Sequence, residues 1–192
     1  MDTQIFEAMR GDKIVASIRG AEQVASLLTA KPKVIFIVKA NIMDLPLAVK
    51  LLKGHNKYVF VHVDMIEGLG HDGIALEYLT TLMDLDGIIT TKGPLIQKAN
   101  KLGLNTVQRV FMIDSVSINT AVSNVFKYKP DALEVMPGLV PKAIDIIRKS
   151  VDIPLITGGM ITEEAEVRYM LESDVTCIST TREKLWALVG SL

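Results

Sequence analysis

The stretch Pro154-Leu-Ile-Thr-Gly-Gly159 and its counterpart Thr176-Cys-Ile-Ser-Thr-Thr181 decide how the chain is read. Each is a short apolar run that ends in glycine or hydroxyl residues, and a helical pattern follows each. Such a run is how a strand buried on both faces looks. Two of these strand ends side by side form a cup of backbone N–H groups and hydroxyls suited to a phosphate. Gly158-Gly159 lets backbone approach an anion with no Cβ in the way. Thr180 to Glu183 has capping-box form, a Thr with a Glu three residues on, which predicts a last helix that starts beside Ser179.

Outward from this pair, the same unit repeats. Apolar runs predict strands over 13–19, 34–38, 58–63, 86–91, 106–111, 132–136, 155–157 and 175–179. Helical spacing of apolar residues predicts helices over 21–29, 44–52, 72–83, 95–102, 115–126, 139–147, 163–171 and 181–188. Asp44, Asp72 and Asp114 stand where caps belong, and Phe6 and Met9 are expected to pack across one end. Alternating strands and helices imply a parallel sheet with right-handed crossovers. The count fits a single (β/α)₈ barrel of the TIM type over residues 1–192, with an open doubly wound sheet as the alternative. The equally apolar first and last strands favour the barrel, since a closed sheet has no edge.

Composition narrows the function classes. The 192 residues are 49% hydrophobic and 22% charged, as in soluble globular proteins. A formal net charge of -1, from 21 Lys+Arg and 22 Asp+Glu, gives no overall attraction to nucleic acid or anionic membrane. The single cysteine, Cys177, cannot close an internal disulfide and sits in an apolar run, so it reads as core in a reducing compartment. No run reaches the ~18 apolar residues of a membrane span, and Met-Asp-Thr-Gln does not begin a secretory signal. A cytoplasmic location is expected.

A barrel binds ligands at the C-terminal ends of its strands. The residues there are Arg19, Lys39, His62 with Asp64, Thr90 to Lys92, Arg109, Glu134, Gly158-Gly159 and Ser179-Thr180. Ala132, Glu134 and Met136 share one strand face, so Glu134 either points into the barrel mouth or pairs with Arg109 or Lys92. His62, Asp64 and Glu67 could work as an acid–base or metal set, but no second histidine lies at ligand spacing, so no metal is expected. His55 and His71 read as solvated. Lys92 could form a Schiff base, although an anion contact or ion pair is the simpler role. Met43, Met65, Met112, Met136 and Met160 follow strands and read as packing under the site. Lys50, Lys53, His55 and Lys57 form a small basic patch that reads as solvated surface.

Several segments resemble one bacterial family in order along nearly the whole chain. They are Val59-Phe-Val-His-Val-Asp-Met-Ile-Glu-Gly-Leu-Gly70, Asp86-Gly-Ile-Ile-Thr-Thr-Lys92, Thr106-Val-Gln-Arg-Val-Phe-Met-Ile-Asp-Ser115 and Pro130-Asp-Ala-Leu-Glu-Val-Met-Pro-Gly138. Pro154-Leu-Ile-Thr-Gly-Gly-Met-Ile161 and Ser179-Thr-Thr-Arg-Glu-Lys-Leu-Trp186 complete the set. They are similar to the glycerol uptake operon antiterminator regulatory proteins. The resemblance implies a (β/α)₈-type fold, glycerol 3-phosphate as effector with no cofactor, and action on the leader mRNA of glycerol genes to prevent transcription termination. It further implies that Gly158, Gly159, Ser179 and Thr180 hold the phosphate, while Arg19, Asp64, Lys92, Arg109 and Glu134, with neighbouring His62, line the glycerol end. Ser179-Thr-Thr181 stands where Ser-Thr-Ser or Ser-Thr-Asn is expected. RNA binding follows from the resemblance alone, since aromatic residues are 5% of the chain and there is no Arg-rich segment. The alternative is an enzyme acting on a small phosphate ester (an isomerase, a lyase or a glycerol-phosphate prenyl transferase), with Asp64 or Glu134 as base. The Asp64–Gly70 loop, with its two glycines, is the expected moving part.

Overall fold

The computed structural model describes residues 3–192. Eight strands form the barrel: β1 (Ile14–Ile18), β2 (Val34–Ile37), β3 (Tyr58–His62), β4 (Gly87–Thr90), β5 (Asn105–Phe111), β6 (Ala132–Met136), β7 (Leu155–Gly158) and β8 (Cys177–Thr180). They run around the barrel in the order β1-β8-β7-β6-β5-β4-β3-β2 and close on β1, each parallel to its neighbours. The open-sheet alternative is thereby excluded. Helix α1 (Thr3–Asp12) precedes the barrel, and α2 (Val24–Leu28) to α9 (Glu183–Trp186) follow the strands in turn. The helices between these are α3 (Leu45–Gly54), α4 (Gly73–Leu82), α5 (Gly93–Lys101), α6 (Ser115–Tyr128), α7 (Pro141–Arg148) and α8 (Glu164–Leu171). Among the described residues no helix is long and apolar enough to cross a membrane.

Alternation along the strands sorts side chains into two cores. Residues facing outward pack under the helices. Those facing inward supply one apolar layer with a member from every strand: Val15, Phe36, Phe60, Ile89, Val107, Ala132, Ile156 and Cys177. Ile5, Phe6 and Met9 of α1 join this layer and plug the N-terminal end, as expected for Phe6 and Met9. Cys177 is fully buried, and burial pushes its thiol pKa far up, so it is core rather than nucleophile. Two residues further along five of these strands the interior turns polar, with Ser17, His62, Arg109, Glu134 and Ser179 all buried. The period of two therefore puts the polar layer directly above the apolar one, at the end where the ligand face lies.

Local chemistry explains most helix starts. Asp72 accepts hydrogen bonds from the N–H groups of Ile74 and Ala75, and Asp114 forms a capping box with Ser117. Asp44 departs from expectation. It does not cap α3 through its side chain: its own backbone is already helical, at φ -87 and ψ -26, and its Oδ2 accepts from Asn41 Nδ2 at 2.5 Å. The helix expected over 21–29 is shorter, with a 3₁₀ turn at Ala21–Gln23 before α2. The Asp64–Gly70 loop is held down: Ile66–Glu67 pairs with Ala40–Asn41, Lys39 forms an ion pair with Glu67, and Ile66 and Leu69 are buried.

Candidate functional site

The C-terminal mouth of the barrel holds a cavity of about 320 Å³ beside the ends of β7, β8 and β1. Polar side chains from β1, β5, β6 and β8 line it, with the loop Gly159–Thr162 and the segment Thr180–Arg182 completing the wall. Its charged side chains are Arg19, Arg109, Arg182 and Glu134. Three guanidinium groups against one carboxylate leave a formal excess of two positive charges. A phosphate monoester carries about -1.5 to -2 at neutral pH, which matches that excess.

Glu134 is the centre of the floor. Its side chain is 1% exposed, and both oxygens are engaged. Oε2 accepts from Arg109 Nε at 2.7 Å and Oε1 accepts from the Ser179 hydroxyl at 2.6 Å. β5 and β6 place Arg109 and Glu134 opposite each other in register, so the pair follows from strand pairing itself. Of the two partners the sequence offered for Glu134, Arg109 is the one found; Lys92 is not near. Arg19 and Arg182 are exposed at the rim, and neither forms an ion pair among the described residues, so their charge is available to a ligand.

Gly158 and Gly159 do different work. A Cβ on Gly158 would lie 2.0 Å from the Ser179 hydroxyl oxygen, so glycine there lets Ser179 reach Glu134. Gly158 is thus behind the cavity rather than on its wall. Gly159 is on the wall with φ +80, a left-handed conformation that favours glycine. Its carbonyl accepts from the Gly138 N–H at 2.8 Å, which turns the β7 loop over the cavity.

The expected capping box at Thr180 and Glu183 does not form. Thr180 Oγ1 accepts from the Arg182 N–H at 3.1 Å, α9 begins only at Glu183, and Glu183 accepts from Ser26 instead. The tight Thr180–Arg182 turn throws the Arg182 side chain back to the cavity. Trp186 Nε1 holds the Thr180 carbonyl at 2.9 Å and anchors the turn. The start of α8 is also occupied from within, because Glu166 accepts from the N–H groups of Thr162 and Glu163. Any anion is therefore left to the Gly159–Ile161 loop, the hydroxyls and the arginines.

Of the residues singled out in the sequence, Arg19, Arg109, Glu134, Gly159, Ser179 and Thr180 meet at this cavity. His62, Asp64 and Lys92 do not line it. Lys92 faces solvent at the start of α5, next to Ile74 and Lys98. Asp64 is turned toward β4, where it accepts from the Thr90 hydroxyl and from the N–H and hydroxyl of Thr91. Burial raises the Asp64 pKa, but those hydrogen bonds outweigh it and the net shift is downward. His62 is buried in the polar layer, and its Nδ1 has no hydrogen-bond partner. Burial first, then the Arg109 charge, pushes its pKa down to about 4, so the ring is neutral at pH 7. Among the described residues no cluster of three or more His, Cys, Asp or Glu could hold a metal.

Three other readings change. Met43, Met65 and Met160 are exposed rather than packed under the site, while Met136 lines it. The basic patch dissolves: Lys57 is buried and donates to the carbonyls of Ala30 and Pro32, and Lys53 pairs with Asp86. Sequence reasoning missed Arg182 and Ser17 on the wall. Ser17 could have been found from its place two residues before Arg19 on one strand face, and Arg182 only by doubting the capping box.

A family model described as "Glycerol-3-phosphate responsive antiterminator" matches residues 14–186. The crystal structure of the glycerol uptake operon antiterminator regulatory protein from Listeria monocytogenes strain 4b F2365 superposes with a TM-score of 0.86 at 29% identity, over 91% of this chain and 94% of that one. A glycerol uptake operon antiterminator-related protein from Thermotoga maritima MSB8 gives 0.81 at 32% identity, over 91% and 97%. The uncharacterized protein YgcP of Escherichia coli K12 is 28% identical over 188 residues, 98% of each chain. With a TIM barrel, an arginine-rich cavity at the ends of β7 and β8, and a family match through nearly all of the barrel, this chain belongs to the glycerol-3-phosphate responsive antiterminator family.

Proposed function

We propose that the cavity binds glycerol 3-phosphate and that the bound effector controls antitermination at leader mRNA of glycerol genes. The observation that carries the reading is the pairing of free cationic rim with fixed polar floor. Arg19 and Arg182 carry unpaired charge at the mouth, next to the Gly159–Ile161 loop, the Ser179 and Thr180 hydroxyls and the Thr181 turn. These groups take the phosphate. Glu134 and Arg109 lie deeper and meet the glycerol hydroxyls, since a carboxylate accepts and a guanidinium donates. Gly158 supports this site by making room for Ser179. His62 and Asp64 act from outside the wall, His62 by filling the polar layer beside Arg109 and Asp64 by fixing the β4 end.

A sensor needs selectivity rather than turnover, and the wall suits that role. Its single carboxylate is engaged on both oxygens, and among the described residues no lysine or histidine lines it. Glu134 is thus a poorly placed general base, and a Schiff base would need Lys92 to be elsewhere. An effector shifts an RNA-competent state only by binding it more tightly than the other state.

The test has two parts. Calorimetric titration should show binding of glycerol 3-phosphate, weaker binding of inorganic phosphate and none of glycerol. Titration of leader RNA across a salt series should then show affinity that depends on glycerol 3-phosphate. Steeply salt-dependent RNA binding that ignores the ligand would reduce the RNA half of the reading to charge attraction.

A further inference from the structure

On the barrel wall away from the cavity, α3 and α4 each carry an outward apolar stripe at spacing i, i+4, i+8. Met43, Leu47 and Leu51 run along α3 and its start, and Ile74, Tyr78 and Leu82 run along α4. All six are between 41% and 84% exposed. Helices α3 and α4 follow adjacent strands, and a groove of about 420 Å³ opens between them. A fully bare large side chain presents roughly 150–250 Å², so these fractions leave about 500–900 Å² of apolar surface. That is near or above the top of the ~300–600 Å² range of the largest patch on a typical monomer. At the ~65% apolar share of homodimer interfaces it corresponds to about 800–1,400 Å² per partner, enough for the ~800 Å² of a stable complex.

From this we infer that the α3–α4 face is a two-fold interface between two copies of this chain. Two features select a second copy over other occupants. First, the ridges match: two parallel-running stripes of equal length, with a groove between them, can interdigitate with themselves about a two-fold axis, as an isologous contact requires. Second, the charges complement. Lys50 stands exposed on α3 with no ion pair among the described residues, while Glu77 on α4 and Asp84 just after it are acidic and still open to solvent, although Glu77 pairs with Lys98 and Asp84 lies 3.8 Å from Lys53. Laying α3 of one copy on α4 of the other brings Lys50 against that acidic flank twice. RNA and anionic lipid fit poorly, because the face carries no excess of positive charge: Asp44, Asp72, Glu77 and Asp84 stand against Lys50, Lys53, Lys92 and Lys98.

The interface leaves the ligand mouth open. β2 and β3, which precede α3 and α4, lie across the barrel from β6 and β7. The experiment is sedimentation equilibrium of the full chain at micromolar concentration, with Leu47→Glu, Tyr78→Glu, and Val116→Glu as a control on exposed α6 surface. Thermal melting confirms that each variant is folded, and Lys50→Glu serves as a milder variant if a stripe variant fails to fold. The wild type and Val116→Glu should be dimers, Leu47→Glu and Tyr78→Glu monomers, and Lys50→Glu should dissociate at least tenfold more readily. Glycerol 3-phosphate affinity should be the same in all. A monomeric wild type, a wild type that associates only when RNA is added, or a dimer that survives both stripe substitutions would overturn the proposal.

Discussion

Replacing Arg109 by Met tests the structural core of the site. Arg109 and Glu134 are buried side by side, with side chains 8% and 1% exposed, at 2.7 Å. The substitution keeps much of the aliphatic packing but leaves Glu134 with only the Ser179 hydroxyl. Breaking a buried pair from one side costs about 3–5 kcal/mol, because the remaining charge is uncompensated. For a chain of this size each kcal/mol lowers the melting temperature by roughly 2–4 °C, so a fall of about 6–20 °C is expected. The double variant Arg109→Met with Glu134→Leu removes both charges, and its stability should return to within about 1 kcal/mol of wild type. Both variants should lose glycerol 3-phosphate binding, so stability and binding separate only in the double variant. Urea unfolding at pH 7 gives the free energies, and calorimetric titration gives the binding. An Arg109→Met protein as stable as wild type, or a double variant no better than the single one, would refute the reasoning.

Gly158→Ala should destabilise by about 3–5 kcal/mol, read as a fall in melting temperature. Its Cβ would meet the Ser179 oxygen at 2.0 Å, adding overpacking to a lost charged hydrogen bond; an unchanged melt would mean that β8 shifts freely. Wild type should lose stability relative to His62→Gln as pH falls from about 6.5 to about 4. With the folded pKa lowered to about 4, the unfolded state binds the extra proton across that window, on the order of 2–3 kcal/mol in all. Parallel urea curves for the two proteins at pH 7 and pH 4.5 check it, and an equal loss in both rules it out. Arg19→Ala should weaken glycerol 3-phosphate binding about 10–100-fold, the worth of one or two charge-assisted hydrogen bonds. Lys92→Ala should leave it unchanged; the opposite pattern in titration would move the ligand toward α5.

The interior of the barrel was legible because strand period is rigid. Once β6 and β5 are recognised, Glu134 and Arg109 must face inward two residues above Ala132 and Val107, and their pairing was one of two options. The same reading missed on loops, where no period constrains a side chain. Lys92 follows β4 like a ligand residue, yet it stands just before α5 with no side-chain cap bond, and it is exposed. Met43, Met65 and Met160 look alike as sequence, and only their loops decide that they face solvent. The Thr180–Glu183 box failed because Thr180 Oγ1 was used one residue earlier, by Arg182 N–H. A local motif competes with every other local bond, and the winner depends on what Trp186 and Ser26 hold in place.

By itself the amino-acid sequence determined the element order, the parallel sheet, the apolar interior and the polar, glycine-bearing ends of β7 and β8. These follow from periodicity, from right-handed crossovers and from the backbone freedom of glycine, all of which act within a few residues. The tertiary structure alone decided which charges are spent and which are free. It tied Glu134 to Arg109 and Ser179, set Gly158 behind the wall and Gly159 on it, sent Asp64 to Thr90 and Thr91, and left Arg19 and Arg182 open at the mouth. Those outcomes depend on contacts between residues far apart in the chain, where register and packing choose among partners that the sequence leaves equal.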